Sequence, residues 1–405
     1  MNILRDSVIY VGGEVLSKLL PFLLLPYLTR QLGPEGFGML SYLQAWIAVA
    51  VIILSISQDG AITRYYYFYG KRSLSIVVQS GVLYTLTLAC LVSLFALATK
   101  SQLILYIGLA ATAQSLLNAQ LSIWQCQKKP LIYTALQFTH SIFAVSFTLI
   151  LFYFIEASAT LRILAMFLGA AAASSIAFYY YLKFQPYRAW PSYRQLILGL
   201  SYLIGFGSPL LLHHLSFFIK GQFDKMFIYE FFDAAILGIY SAGFQLASIV
   251  SVLLMAINKA IVPYYYEALK KSRLTKATIL TYSLLTLILT PIPSIIAYLL
   301  PESLYAWILG SSFTQAKWFT IWFLLGISIN ISYLILVNYL FYHGKNTVIS
   351  ICNLLSTGCY FVILILLSSI GIQWVPLALA ISNIVLVALL FSYIKYYKPV
   401  AKLIK

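Results

Sequence analysis

Apolar stretches of about twenty residues or more recur along the whole chain, separated by short polar breaks, and strands have no room between them. The pattern predicts twelve membrane helices. The first six lie near Ser7–Leu28, Phe37–Ile62, Ile76–Ala98, Leu103–Gln125, Leu131–Ile155 and Leu161–Phe184. The second six lie near Leu196–Ile219, Ile236–Val262, Ala277–Leu300, Trp318–Phe341, Thr347–Ser368 and Val375–Tyr396. The longest polar connection carries Pro186, Pro191 and three aromatics, which marks it as an interfacial linker. The expected organisation is therefore an N-terminal six-helix bundle over 1–184, a cytoplasmic linker over 185–195 and a C-terminal six-helix bundle over 196–405. The first apolar run is interrupted by Glu14 and Lys18 and meets no small-residue cleavage site, so it reads as a span and not as a signal peptide.

Composition agrees. The 405 residues are 62% hydrophobic and 9% charged, with a mean hydropathy of +0.91, whereas a soluble domain is about a quarter charged. The net charge of +16 would suggest nucleic acid in a soluble chain. Here the basic residues form short clusters between apolar spans, which is the positive-inside pattern, and no nucleic-acid partner is expected. With both termini in the cytoplasm, nineteen of the 26 Lys and Arg fall on the inner side. Arg64, Lys71, Lys128 and Lys129 are among them and read as topogenic, the alternative being that such clusters hold anionic lipid headgroups. The expected location is a bacterial cytoplasmic (inner) membrane, with membrane lipids as partners. Cys90, Cys126, Cys352 and Cys359 have no metal-ligand or redox spacing and read as small apolar side chains; no metal site or cofactor is expected.

The chain also repeats itself. Ala61-Ile62-Thr63-Arg64-Tyr65-Tyr66-Tyr67 closes the second helix and Ala260-Ile261-Val262-Pro263-Tyr264-Tyr265-Tyr266 the eighth, 199 residues on. Gly38-Met39-Leu40-Ser41 opens the second and Gly238-Ile239-Tyr240-Ser241 the eighth, 200 residues on. A matched beginning and end of one helix points to two parallel repeats, an arrangement that places a site between them in some transporters.

Charges inside spans are costly, at about 2.5 kcal/mol or more each, and are candidates for function. Glu14 and Lys18 share a face of helix 1, with Lys18 about 15 Å deep. Helix 7, equivalent under the repeat, carries His213, His214 and Lys220, then Asp224 and Lys225. Gly12, Gly13 and Pro21 in helix 1, and Gly205, Gly207 and Pro209 in helix 7, would let both bend. A central hydrated cavity follows, with Glu14, Lys18, Arg30, Lys220, Asp224, Lys225 and Lys259 as candidate substrate contacts. His213, His214 and Asp59 are candidates for carrying a coupling H⁺ or Na⁺. Each has a plainer alternative. Glu14–Lys18 can be a structural ion pair, the histidines can be packing groups, and Lys220, Asp224 and Lys225 can anchor the helix at the interface. Asp59 and Lys259 occupy equivalent places near the inner ends of helices 2 and 8 and suggest a gate. His140 and Arg162 receive no role.

No phosphate-binding glycine loop precedes a Lys-Ser/Thr, and no HExxH or outer carboxylate cluster occurs, so the chain is not expected to be an enzyme. The corner Pro26-Tyr27-Leu28-Thr29-Arg30-Gln31-Leu32-Gly33-Pro34-Glu35-Gly36-Phe37-Gly38 resembles the first outer loop of bacterial polysaccharide flippases. So does Gly221-Gln222-Phe223-Asp224-Lys225-Met226-Phe227-Ile228, followed by Leu237-Gly238-Ile239-Tyr240-Ser241. These are the O-antigen and capsule repeat-unit (Wzx-type) translocases of the multidrug/oligosaccharidyl-lipid/polysaccharide exporter superfamily. The resemblance implies an all-α integral membrane protein whose two six-helix bundles form a V around a cavity. It implies a polyprenyl-diphosphate-linked oligosaccharide as substrate, moved from the inner to the outer leaflet by alternating access. It also implies work beside a polysaccharide polymerase complex. On this view Lys18 would hold the diphosphate, with Glu14 as its switchable partner. Three rivals stand beside it. One is a drug or small-cation exporter of the same fold, which should have an acidic cavity. Another is a membrane polysaccharide polymerase, which should carry a long polar outer loop. The third is a scramblase without ion coupling.

Overall fold

A computed structural model describes residues 3–71, 73–184 and 191–397; the side chains of 3–11, Glu14, Phe184, Leu212, His213 and Pro263 lie outside that description. The described chain is helical from end to end. Its N-terminal part comprises α1 (Ile3–Leu23), α2 (Leu25–Ser55), α3 (Gln58–Phe68), α4 (Leu74–Ala98), α5 (Gln102–Cys126), α6 (Pro130–Phe154) and α7 (Ala159–Phe184). Then follow α8 (Tyr193–Phe218), a π-helical turn (Ile219–Phe223), α9 (Asp224–Phe231) and α10 (Ala234–Lys270). The remainder is α11 (Lys276–Leu289), α12 (Ile292–Leu299), α13 (Glu302–Leu309), α14 (Ala316–Ser328), α15 (Asn330–Tyr342), α16 (Asn346–Ile370) and α17 (Leu377–Tyr396). Ten stretches are long and apolar enough to cross a membrane. With α1 and α5, of 21 and 25 residues, the described residues supply twelve passes. The α5 helix is less apolar than most other passes because it carries Gln114, Ser115, Asn118, Gln120 and Ser122. More than half of its residues are buried, with small ones such as Ala111, Ala113 and Ala119 against its neighbours.

Several passes are broken where the hydrophobic pattern reads as continuous. The sequence pattern stops helix 1 at Leu28 and opens helix 2 at Phe37, with a polar corner between them. Instead the helical run continues to a one-residue kink at Gly33 (φ 64°, ψ −179°), and Pro34 starts the next helix at once. Glycine accepts the positive φ and proline has no N–H to leave unpaired in a first turn. The expected helix 2, Phe37–Ile62, breaks at Ile56–Ser57. Helix 7 changes to π geometry at Ile219. Helix 9 divides at Pro291 and helix 10 at Ile329.

Glycines set several crossings. A Cβ on Gly13 would run into the Thr134 side chain, so this glycine serves the close packing of α1 on α6. One on Gly169 would lie 2.7 Å from the Ala144 nitrogen, which sets α7 on α6. Small residues of this kind let membrane helices approach to backbone contact. The glycines opening the two repeats meet each other. A Cβ on Gly38 would collide with the Ala234 carbonyl, and one on Gly238 with the Pro34 carbonyl.

The chain divides into two compact units, one formed by Met1–Phe218 with Lys225–Gly238 and the other by Ile219–Asp224 with Ile239–Lys405. This division differs from the one expected at 184/196, because α8 packs with the first unit. Gly199 approaches the Ser80 side chain, Ser80 donates to the Leu196 carbonyl (3.1 Å), and Tyr202 meets Tyr65 and Tyr69 edge to face. Most of the expected linker lies outside the described residues. In the first unit Leu117, Ile123, Trp124, Ile62 and Leu203 form a buried core. In the second, Leu336, Leu340, Leu390 and Ile394 do the same.

Candidate functional site

The first unit holds a strained break between α2 and α3. Ile56 (φ 42°, ψ 40°) and Ser57 (φ 56°, ψ 38°) both adopt the left-handed conformation. For a β-branched residue this is a true outlier, and strain of this kind persists only where the surroundings over-determine it. They do so here. The break frees carbonyls of the last turn of α2, and α4 satisfies them. Thr85 Oγ1 donates to Leu54 O at 3.0 Å, and Tyr84 Oη donates to Ile53 O at 3.2 Å. Gln58, the first residue of α3, donates to Gly81 O at 2.9 Å and to Thr85 Oγ1 at 2.7 Å. On the far side, Gly207 of α8 lies so close to Ile56 O that a Cβ there would collide with it.

Two cavities open along this break, both within the first unit and both lined by Asp59. The smaller, of about 170 Å³, is lined by Ser55, Gln58, Asp59, Ser115, Asn118 and His214. The larger, of about 540 Å³, is lined by Asp59, Thr63, Arg64, Tyr67, Ser122 and Gln125. Arg64 is held by its faces, with its guanidinium carbon 5.5 Å from the Phe68 ring and 5.4 Å from the Phe206 ring. Among the described residues neither Arg64 nor Asp59 has an ion-pair partner. The ring faces bind a guanidinium through its plane. Its N–H edges stay available to the cavity.

The second unit contains a different polar cluster. Lys220 lies on the π-helical turn, and its Nζ donates to Ser356 Oγ (2.9 Å) on α16 and Asn383 Oδ1 (3.1 Å) on α17. Asn383 Nδ2 donates to Gly326 O (3.0 Å) and Ser356 Oγ to Ser382 O (2.6 Å), so both acceptors are themselves held. One turn on, the buried Asp224 accepts hydrogen bonds from Tyr240 and Tyr360.

A family model described as "Polysaccharide biosynthesis protein" matches residues 3–269, well over half of the chain. The chain belongs to the polysaccharide biosynthesis protein family. Two Haemophilus influenzae proteins are similar to this family member over nearly their whole lengths. One, named for the Lsg locus, is 43% identical over 392 residues, covering 96% of this chain and 98% of its own. The other, named only as a membrane protein, is 40% identical over 396 residues, covering 98% of each. Among solved structures, the lipid II flippase MurJ in an inward closed conformation superposes with a TM-score of 0.66, at 12% identity, covering 97% of this chain and 88% of its own. An inward-facing multidrug resistance MATE transporter gives 0.64 at 15% identity, covering 98% and 94%. At these identities the likeness is one of fold alone.

Within this family fold the predicted residues are distributed unevenly. Asp59 and His214 line one cavity. Lys220 and Asp224 are held inside the second unit, while Lys225 is buried at 7% exposure. Lys18, Arg30 and Lys259 are exposed. The side chains of Glu14 and His213 lie outside the described residues. Arg64, Gln58 and Asn118 were missed. The signal for the break was the run Ser55-Ile56-Ser57-Gln58-Asp59-Gly60, five polar or glycine residues out of six inside an apolar span. The signal for α5 was its recurrent amides and hydroxyls, Gln114, Ser115, Asn118, Ser122 and Gln125.

Proposed function

We propose that this protein is a flippase that carries a polyprenyl-diphosphate-linked oligosaccharide from the cytoplasmic to the outer leaflet by alternating access. The observation that carries the reading is a pair of polar cavities along a broken transmembrane helix, in a chain of the polysaccharide biosynthesis family. A sugar chain and a diphosphate cannot cross hydrocarbon unaided, and irregular backbone at membrane depth is tolerated where it is buried in protein or lines a water-filled cavity. The likeness to a lipid II flippase supports a lipid-linked substrate. The end of the first unit that carries Arg64, Lys71, Lys128 and Lys129 is the cytoplasmic end by the charge rule, with both termini on that side of the inner membrane. Asp59 and His214 around one small cavity suit a coupling proton, since each changes charge on taking one up. The exported unit would pass to a polymerase on the outer side.

The test is the leaflet in which the lipid-linked oligosaccharide accumulates in a strain lacking the gene. Inner-leaflet accumulation relieved by the protein supports the reading. Accumulation of unpolymerised units on the outer side refutes it in favour of a polymerase, and an unchanged distribution refutes it in favour of a drug or cation exporter. Relief that persists after the proton and sodium gradients are both collapsed removes the coupling step.

A further inference from the structure

We infer that the cavity at the basic end of α3 and α5 is a phosphoryl-binding site, in which the Arg64 guanidinium receives a diphosphate. The inference deepens the flippase reading and takes from it only the expectation that the diphosphate is carried by a lipid. The cavity itself is argued from Arg64. Two other cations of this chain lie elsewhere and are engaged by neighbouring polar groups. Lys220 is committed to Ser356 and Asn383. Arg162 is committed to Thr148 and to the Ala144 carbonyl. Arg64 instead touches two aromatic faces and lines the 540 Å³ cavity.

A guanidinium held by its faces is fixed in orientation while its five N–H groups remain in plane, the fork geometry that matches two phosphate oxygens at once. The clamp is itself braced. Phe206 stacks on Tyr202 with 5° between the rings, and Tyr202 Oη donates to Ala61 O at 3.4 Å. Thr63, Ser122 and Gln125 line the same wall; the Gln125 amide can donate to a further phosphoryl oxygen, while the hydroxyls of Thr63 and Ser122 donate to the Asp59 and Ala119 carbonyls. The volume exceeds what one diphosphate needs and leaves room for its water. Lys71 and Lys129, over the Tyr66 and Trp124 rings at 5.3 and 5.1 Å, add positive charge at the same end. Asp59 is the opposing group. It lines the edge shared with the His214 cavity, so its charge works against an anion bound at Arg64.

The experiment is calorimetric titration of the full-length protein in nanodiscs of neutral lipid. The probes are farnesyl diphosphate and, separately, inorganic pyrophosphate. The expected result is saturable binding of a diphosphate that weakens about 10–100-fold in Arg64→Gln, the loss of a charge-assisted pair of hydrogen bonds. Arg64→Lys, which keeps the charge and loses the fork, should fall between. Both variants are first checked for wild-type elution and melting, and Arg64→Lys keeps the test open if Arg64→Gln misfolds. Tighter binding of farnesyl diphosphate than of pyrophosphate assigns the headgroup of a lipid. Equal binding assigns a free diphosphate, and both support the site. No binding, or equal binding by wild type and both variants, overturns it. The flippase reading fails separately: a protein that binds diphosphate through Arg64, yet leaves the leaflet distribution unchanged, keeps this site and loses that function.

Discussion

Arg162 of α7 is 5% exposed, inside a bundle, with no acidic partner among the described residues. Replacing it with methionine should stabilise the protein. The reasoning is an inventory of what would be orphaned. Arg162 Nη1 donates to Ala144 O at 2.9 Å and to Thr148 Oγ1. Thr148 also donates its own hydroxyl to Ala144 O, at 2.6 Å. In Arg162→Met the carbonyl keeps that donor and the hydroxyl keeps its acceptor, so no polar group loses its last partner. The loss is the hydrogen bonding of a charged group, about 1.5–3 kcal/mol. Against it stand the buried Nε, which has no partner, at about 1–3 kcal/mol, and the desolvation of the charge, several kcal/mol more. The net expectation is about 1–4 kcal/mol in favour of Arg162→Met. At about 2.1 cal/mol/K per residue, a chain of 405 residues converts this to a rise of about 1–5 °C in melting temperature. Arg162→Lys should instead be lower than wild type, because an ammonium is more strongly hydrated and lacks the fork. Thermal melting of the purified proteins in one detergent decides it. A lower melting temperature for Arg162→Met with an unchanged one for Arg162→Lys would refute the reasoning and point to an undetected counter-charge.

Three further outcomes are expected. Ser57→Gly should raise stability by about 1 kcal/mol, because glycine accepts the left-handed conformation freely and the substitution removes a buried hydroxyl that has no partner; melting temperature measures it. Asp59→Asn should tighten farnesyl diphosphate binding about fivefold, from the removal of about 1 kcal/mol of repulsion across the cavity, and calorimetry that shows weaker binding would contradict the placement of Asp59 as the opposing charge. Lys220→Met leaves Asn383 Oδ1 without its ammonium donor and should cost about 1–3 kcal/mol. Adding Asn383→Leu should then cost less than it does in the wild-type background, and strictly additive melting shifts would show that the two residues do not interact.

The passes were legible because each is a long apolar run, and the first corner because Gly33 and Pro34 are the residues such a corner requires. The polar run over residues 55–60 marked where the second pass breaks but not how, since neither Ile56 nor Ser57 favours a left-handed backbone. Their conformation is held by Thr85 of α4 and Gly207 of α8, with Gln58 of α3 tied to Gly81 and Thr85, contacts that no local pattern carries. Asp59 and His214 were nominated as polar groups in apolar spans, and they line one cavity. Arg64 was passed over because a basic residue near the end of a span looks topogenic until its surroundings are seen. Phe206, one of its two clamps, is 142 positions away along the chain. The cluster at Lys220 joins residues 136 and 163 positions apart, which depends on how the helices assemble.

The meeting of Gly38 and Gly238 has a consequence for how this gene can change. Gly38 faces the carbonyl of Ala234 and Gly238 faces that of Pro34, so each copy of the motif is the other's steric boundary. Such reciprocity is what a two-fold homodimer shows at its axis, where one surface patch is its own partner. Carried within one polypeptide, it makes two distant codons a single heritable constraint. A methyl group acquired at either position is resisted by a backbone that no side-chain substitution in the other copy can remove, so neither site can be compensated from the other and both are expected to stay glycine.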